Sequence, residues 1–279
     1  MTFRYFYSMI SRKIFRQYVR YLPLYGCIST GLIYLGIGVI AILSFLKLKE
    51  GGADESSMLA FLNDYDLGKV LIWIILLGTL SYIIWRIYEA IADPYEYGTN
   101  AQGIGKRTGI ALSSVADALI AYAAIQILLG RGNVQADGQP AGERDMASNI
   151  LQHDGGSALI IVIGSIILIT AGVQLHYGIT RGYKERLDIS RFNKSVKSVI
   201  HMLAWVGYLA RGIIIGIIGY SFVKAGVLKN ARHVVNTDKA FDFIGDHVGH
   251  VYFILVAIGT ICYALFMFSL GITYNADQD

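Results

Sequence analysis

Six long apolar runs constrain this chain more than anything else in it: about 22–46, 70–91, 109–130, 158–180, 199–223 and 251–273. Each supplies the roughly 20 apolar residues that an α-helix needs to cross a hydrocarbon core about 30 Å thick. A soluble helix of that length would carry one apolar stripe and one polar face. The runs LIYLGIGVIAILSFL and ALIIVIGSIILITAGV are apolar all round. Only 16% of the residues are charged, against about a quarter in soluble domains. The sequence therefore predicts an all-α membrane protein with six transmembrane helices.

The basic residues set the expected orientation. With the N-terminus inside, the inner segments hold fourteen Lys and Arg: Arg4, Arg12, Lys13, Arg16, Arg20, Arg86, Lys106, Arg107 and six from Arg181 to Lys197. The outer segments hold nine, from Lys47 to Lys239. The bias predicts both termini in the cytoplasm of a bacterial cell, with the chain in its inner membrane. Residues 1–20 mix aromatics with cations and read either as an interfacial helix on an anionic surface or as an orienting flank. The apolar run that follows is too long for a cleaved signal core, and no small-x-small site closes it. The net charge of +4 belongs to these flanks, so the expected partner is the lipid bilayer, with other membrane subunits as a further class and nucleic acid excluded. Cys27 and Cys262 lie inside apolar runs and predict no disulfide and no metal spacing.

An internal repeat organises the runs. GTLSY from Gly78, GSIIL from Gly164 and GTICY from Gly259 recur in the even helices. In the odd helices Gly26, Gly109 and Gly207 are each followed five positions later by a small residue, Gly31, Ser114 and Gly212. The odd-to-even glycine spacings are 52, 55 and 52 residues. The chain then divides into a basic segment 1–20 and hairpin repeats 21–96, 97–190 and 191–275, which form one membrane domain. Two helices per repeat give every repeat the same orientation, so pseudo-threefold symmetry about the membrane normal is expected. The small residues are read as close helix contacts. Each hairpin loop also holds a short amphipathic pattern (ESSMLAFLNDYDLG, ERDMASNILQHDGG, NTDKAFDFIGDHVG), which predicts a short helix on the outer surface.

The repeats resemble the domain of unknown function 1206 family, with three tandem two-helix units across residues 20–275. GYLARGIIIGIIG at 207–219, MLAFLNDYDLGK, and YIIWRIYEAIADP at 82–94 carry the likeness. The middle repeat lacks both the arginine of the first of these motifs and the Trp-Arg pair of the last. The resemblance implies a bacterial inner-membrane protein and implies no activity. Mitochondrial carriers share the repeat count, but their proline-x-acid-x-x-base signature is absent here.

Asp117 and Arg211 are the two charges well inside predicted helices. Ten residues beyond Arg107 and His201, at 1.5 Å rise, each lies roughly 15 Å deep. A charge at that depth is costly and faces the protein interior. The favoured reading is a buried ion pair between helix three and helix five; the alternatives are a substrate or proton site, or unpaired charges at a misread helix boundary. Arg86 and Glu89, three residues apart, can pair locally, and Trp85 suits an interfacial belt. Asp242, Asp246, His247 and His250 have a spacing that suits a metal but are read as a solvated helix face, with no metal expected. His176 and His201 lie near the inner surface without a haem-attachment motif, and no cofactor is expected. No G-x-S-x-G, H-E-x-x-H, P-loop or dinucleotide fingerprint occurs. Three functions follow in order of preference: a non-enzymatic scaffold or complex-associated subunit, a small-solute or ion transporter or channel along the threefold axis, and a membrane enzyme acting on a lipid or a quinone.

Overall fold

Glycines placed where helices meet, and short polar caps where they start, build an all-helical chain. The computed structural model describes residues 21–93, 97–130, 138–187, 189–190 and 192–273, so the basic segment 1–20 lies outside the described residues. Among the described residues nine α-helices follow in order: α1 Leu22–Phe45, α2 Glu55–Asn63, α3 Asp66–Ala92, α4 Ala101–Leu128, α5 Ala141–Leu151, α6 Gly156–Thr180, α7 Lys194–Val227, α8 Thr237–His247 and α9 His250–Thr273. Pro23 sits in the first turn of α1, where its missing N–H costs nothing. Side chains of Asp54, Asn100, Asn193 and Asn236 accept from the first backbone N–H groups of α2, α4, α7 and α8. The short helices α2, α5 and α8 occupy the three amphipathic hairpin patterns.

By length and composition, five helices can cross a membrane among the described residues: α1, α3, α6, α7 and α9. That makes the chain a multi-pass membrane protein. The sixth expected span differs. α4 is 28 residues long, but its continuous apolar part is only Asp117–Leu128. Lys106, Arg107, Thr108, the Ser113–Ser114 pair and Asp117 dilute the first half of the helix.

The long helices pack as the pairs α1–α3, α3–α4, α6–α7, α7–α9 and α9–α1. Among the described residues α4 and α6, the two arms of the middle hairpin, form no packed pair. The core follows the same division. One cluster joins Ile33 and Ile37 of α1, Met58 of α2, Ile72 and Ile75 of α3, Ala121 and Ala124 of α4, Ile214 of α7, Phe241 of α8 and Val256 of α9. From α6, Ile160 joins a small separate cluster with Ala147, Ala225 and Val234. Much of the remaining surface is apolar: Leu159, Val162, Ile169 and Val173 on α6, and Val70, Trp73, Leu77 and Ile84 on α3, are all exposed. Apolar surface of this extent needs a lipid environment.

The three hairpin loops knit into a cap over one end of the bundle. Ala53 N donates to Asp238 Oδ1 (2.8 Å), Gly138 N donates to Ser57 Oγ (3.2 Å), and Asn236 Nδ2 donates to Gly138 O (3.2 Å). Gly138 is at φ +75°, and a Cβ there would collide with the Asp238 carboxylate and with Gly52 N. Only glycine lets all three loops meet at that point.

Candidate functional site

Arg211 sits about midway along α7 and turns inward. Its Nε donates to Tyr34 Oη of α1 (3.1 Å), and its Nη1 donates to Tyr263 Oη of α9 (2.5 Å). The guanidinium carbon lies 5.0 Å and 4.8 Å from the centroids of those two rings. The rings meet edge to face, with centroids 5.0 Å apart. Burial makes this aromatic clamp stronger than its equivalent in water. Two of the five N–H donors are engaged in this way, and no carboxylate lies within ion-pair distance of Arg211 among the described residues.

Arg211, Tyr34 and Tyr263 line a cavity of about 80 Å³. Ile214, Ile215, Ile218 and Thr260 form its walls, and Glu55 and Thr237 of the cap form its other end. Thr237 Oγ1 donates to the Glu55 carboxylate (3.2 Å to Oε2). Burial, with Asp54 beside it, pushes the Glu55 carboxyl up to about 7. A site one turn into bulk water would stay near the ordinary carboxylate value. The cavity thus holds a permanent cation at one end and a carboxyl that titrates near neutrality at the other, in an otherwise apolar shell.

Asp117 lies on α4, the helix packed against α3. Its Oδ2 lies 4.0 Å from Arg86 Nε, and both Arg86 and Arg211 attract it. The structure therefore sets Asp117 beside Arg86, while the hydrogen bonds of Arg211 go to tyrosines. Arg86 also donates to Tyr82 Oη (2.6 Å) and lies over the Tyr82 ring, 4.5 Å from its centroid. Trp85 is buried at 5% exposure, with its ring against Tyr88 inside the protein. Glu89 is buried at 2% and accepts from Tyr97 Oη (3.4 Å). Arg107 donates to the carbonyls of Ala90 and Ile91, closing the C-terminal end of α3.

The residues with metal-like spacing are engaged elsewhere. Asp242 pairs with Lys239 (2.8 Å), His247 stacks on Phe243, and His250 lies edge-on to Phe45. Asp246 is exposed beside them, and no metal-holding group forms among the described residues. His201 accepts from Tyr183 Oη through its backbone carbonyl.

Four cavity residues escape sequence reading: Tyr34, Glu55, Thr237 and Tyr263. Tyr263 carried a signal, since it ends GTICY just as Tyr82 ends GTLSY, and both hydroxyls accept from an arginine. Glu55 carried none, because one acid at the start of a surface helix reads as an ordinary first-turn residue.

The model of a family described as a domain of unknown function (DUF1206) matches residues 25–93, 108–181 and 206–274. The chain belongs to that family. Each matched unit starts one residue before a repeat glycine, Gly26, Gly109 or Gly207. The uncharacterized protein YxxB of Bacillus subtilis (strain 168) is 26% identical over 250 residues, 88% of each chain. No solved structure matches the chain.

Proposed function

We propose that this DUF1206 chain is a six-span protein of the bacterial cytoplasmic membrane that binds a small monovalent anion at Arg211 and carries it across the bilayer. Both termini face the cytoplasm, α4 is the sixth span, and the three hairpins (21–96, 97–190, 191–275) stand about an approximate threefold axis as one membrane domain. A helix of 28 residues is about 42 Å long, enough to cross. The reading rests on one observation: a guanidinium deep in the bundle lines a cavity, with tyrosine hydroxyls as its hydrogen-bond partners. A buried cation needs a counter-charge, and desolvation strengthens any anion bound beside it. A cavity of about 80 Å³ admits several waters or an anion of a few heavy atoms, far less than a drug-sized ligand.

Proteoliposome flux of chloride and nitrate tests the reading. Wild type passes these anions, Arg211→Gln stops the flux in a protein that still elutes as a folded species, and Asp117→Asn retains it. Absence of flux in wild type sinks the proposal.

A second reading, a non-enzymatic subunit of a larger membrane assembly, draws on α6. It packs on α7 and leaves most of its apolar circumference open. Native mass spectrometry of the gently extracted protein decides it: a second protein that departs when Val162 and Ile169 are changed to Trp supports this reading, and a bare monomer with lipids ends it.

A further inference from the structure

The Arg211 cavity has a second ionisable end, and the two ends belong to different parts of the fold. Arg211 is carried by a long membrane helix. Glu55 is the first residue of α2, in the cap, and its carboxyl reaches the same cavity. Building on the anion-carrier reading, we propose that Glu55 is the proton site of that cavity: an anion binds at Arg211 with Glu55 protonated and leaves as Glu55 ionises, so one proton moves with each anion.

The charge balance follows from the residues. With Glu55 neutral, the cavity carries the single positive charge of Arg211 and takes one anion to become neutral. With Glu55 ionised, the cavity is already neutral, and a bound anion would leave it with a net negative charge in an apolar shell. A charge in that setting carries the full desolvation cost. The protonated carboxyl also offers an O–H donor opposite the guanidinium, and the carboxylate offers none. The proton is taken from water as the anion binds and returned to water as the anion leaves, so each binding and each release moves no net charge.

The groups around Glu55 favour titration in the physiological range. Asp54 precedes it, Glu143 of α5 adds negative charge, and Tyr34 of α1 faces it. Arg211 of α7 and Tyr263 of α9 stand across the cavity. Thr237 of α8 is the hydrogen-bond partner, and it supports the ionised form. The carboxyl titrates at about 7, where small changes in proton concentration change the charge of the cavity.

Line broadening of the chloride NMR signal by nanodisc-reconstituted protein, with nitrate as competitor, gives the test. In wild type, site-specific broadening falls as pH rises through about 7, with affinity dropping about tenfold per pH unit above that, the limiting slope for one coupled proton. Glu55→Gln binds chloride with the low-pH affinity of wild type and without pH dependence. Thr237→Val loses the bond to the ionised carboxyl and moves the midpoint to higher pH, a shift that a merely structural role would not produce, and it serves if Glu55→Gln does not fold. A wild-type pH slope retained in Glu55→Gln, or an unmoved midpoint in Thr237→Val, overturns the proton coupling while leaving the anion site standing. Wild type that binds no chloride at any pH overturns the anion site itself.

Discussion

The outer two repeats and the middle one use the same glycines in opposite ways. In the first repeat Tyr82 of α3 lies on Gly26 of α1, and Gly78 of α3 lies against Tyr25 and Ser29 of α1. The third repeat copies this residue for residue: Tyr263 lies on Gly207, and Gly259 lies against Val206 and Ala210. In the middle repeat Gly109 has nothing within 4 Å of where a Cβ would be, and Gly164 packs against Phe222 and Val223 of α7 instead of its own hairpin partner. Leu168 replaces the tyrosine and lies over Gly219 of α7. The difference shows what closes a hairpin here. A glycine permits close approach, but a large ring opposite it, with its hydroxyl held by an arginine, fixes the pair. Without the ring, α6 packs on α7, and α4 turns Asp117 toward Arg86 on α3. The cap still holds the opened repeat, because Gly138 bonds to the loops of the other two.

The largest expected effect is on Gly207. An alanine Cβ would lie 2.6 Å from the Tyr263 Cα, which is backbone and cannot rotate away, so Gly207→Ala loses about 3 kcal/mol in equilibrium unfolding from micelles. Gly26→Ala meets the Tyr82 side chain and loses somewhat less. Next comes the cap. The folded Glu55 carboxyl lies at about 7, above the ordinary 4.5, so its contribution to stability is full below about 4.5 and is lost as pH rises through about 7. Wild type should therefore lose up to about 3 kcal/mol relative to Glu55→Gln across that window, and parallel pH curves for the two proteins would contradict it. Tyr82→Phe and Tyr263→Phe each remove a part-buried hydrogen bond to an arginine, at about 1–2 kcal/mol. Thermal unfolding should show the larger loss for Tyr263→Phe, whose bond joins α9 to α7, because the Tyr82–Arg86 bond stays within α3. The smallest effect belongs to the open repeat: Gly109→Ala and Gly172→Ala, with empty space at both positions, should leave stability unchanged or raise it by up to about 1 kcal/mol. A loss at Gly109 matching that at Gly207 would break the comparison.

Much of the fold was legible because its signals are local. The apolar runs, the glycine registers and the three short loop helices each lie within a few turns of chain, and the family units begin beside the repeat glycines. α4 was the exception, since its polar first half lowers its apolar character without ending the helix. The site was less legible. Arg211 stood out as a charge in an apolar stretch, but its depth could not say whether a carboxylate or a pair of tyrosines would meet it. Trp85, placed by composition at an interface, is buried because α3 turns that face inward.

By itself, then, the sequence determined that this chain forms long apolar helices in three related units, with short capped helices between them, since hydrophobic length and N-caps act within one segment. The tertiary structure alone decided that the middle unit opens, that Asp117 stands beside Arg86, and that Glu55 and Arg211 line one cavity. A glycine or a charge states what kind of neighbour it requires. Which helix supplies that neighbour depends on the simultaneous packing of all the others.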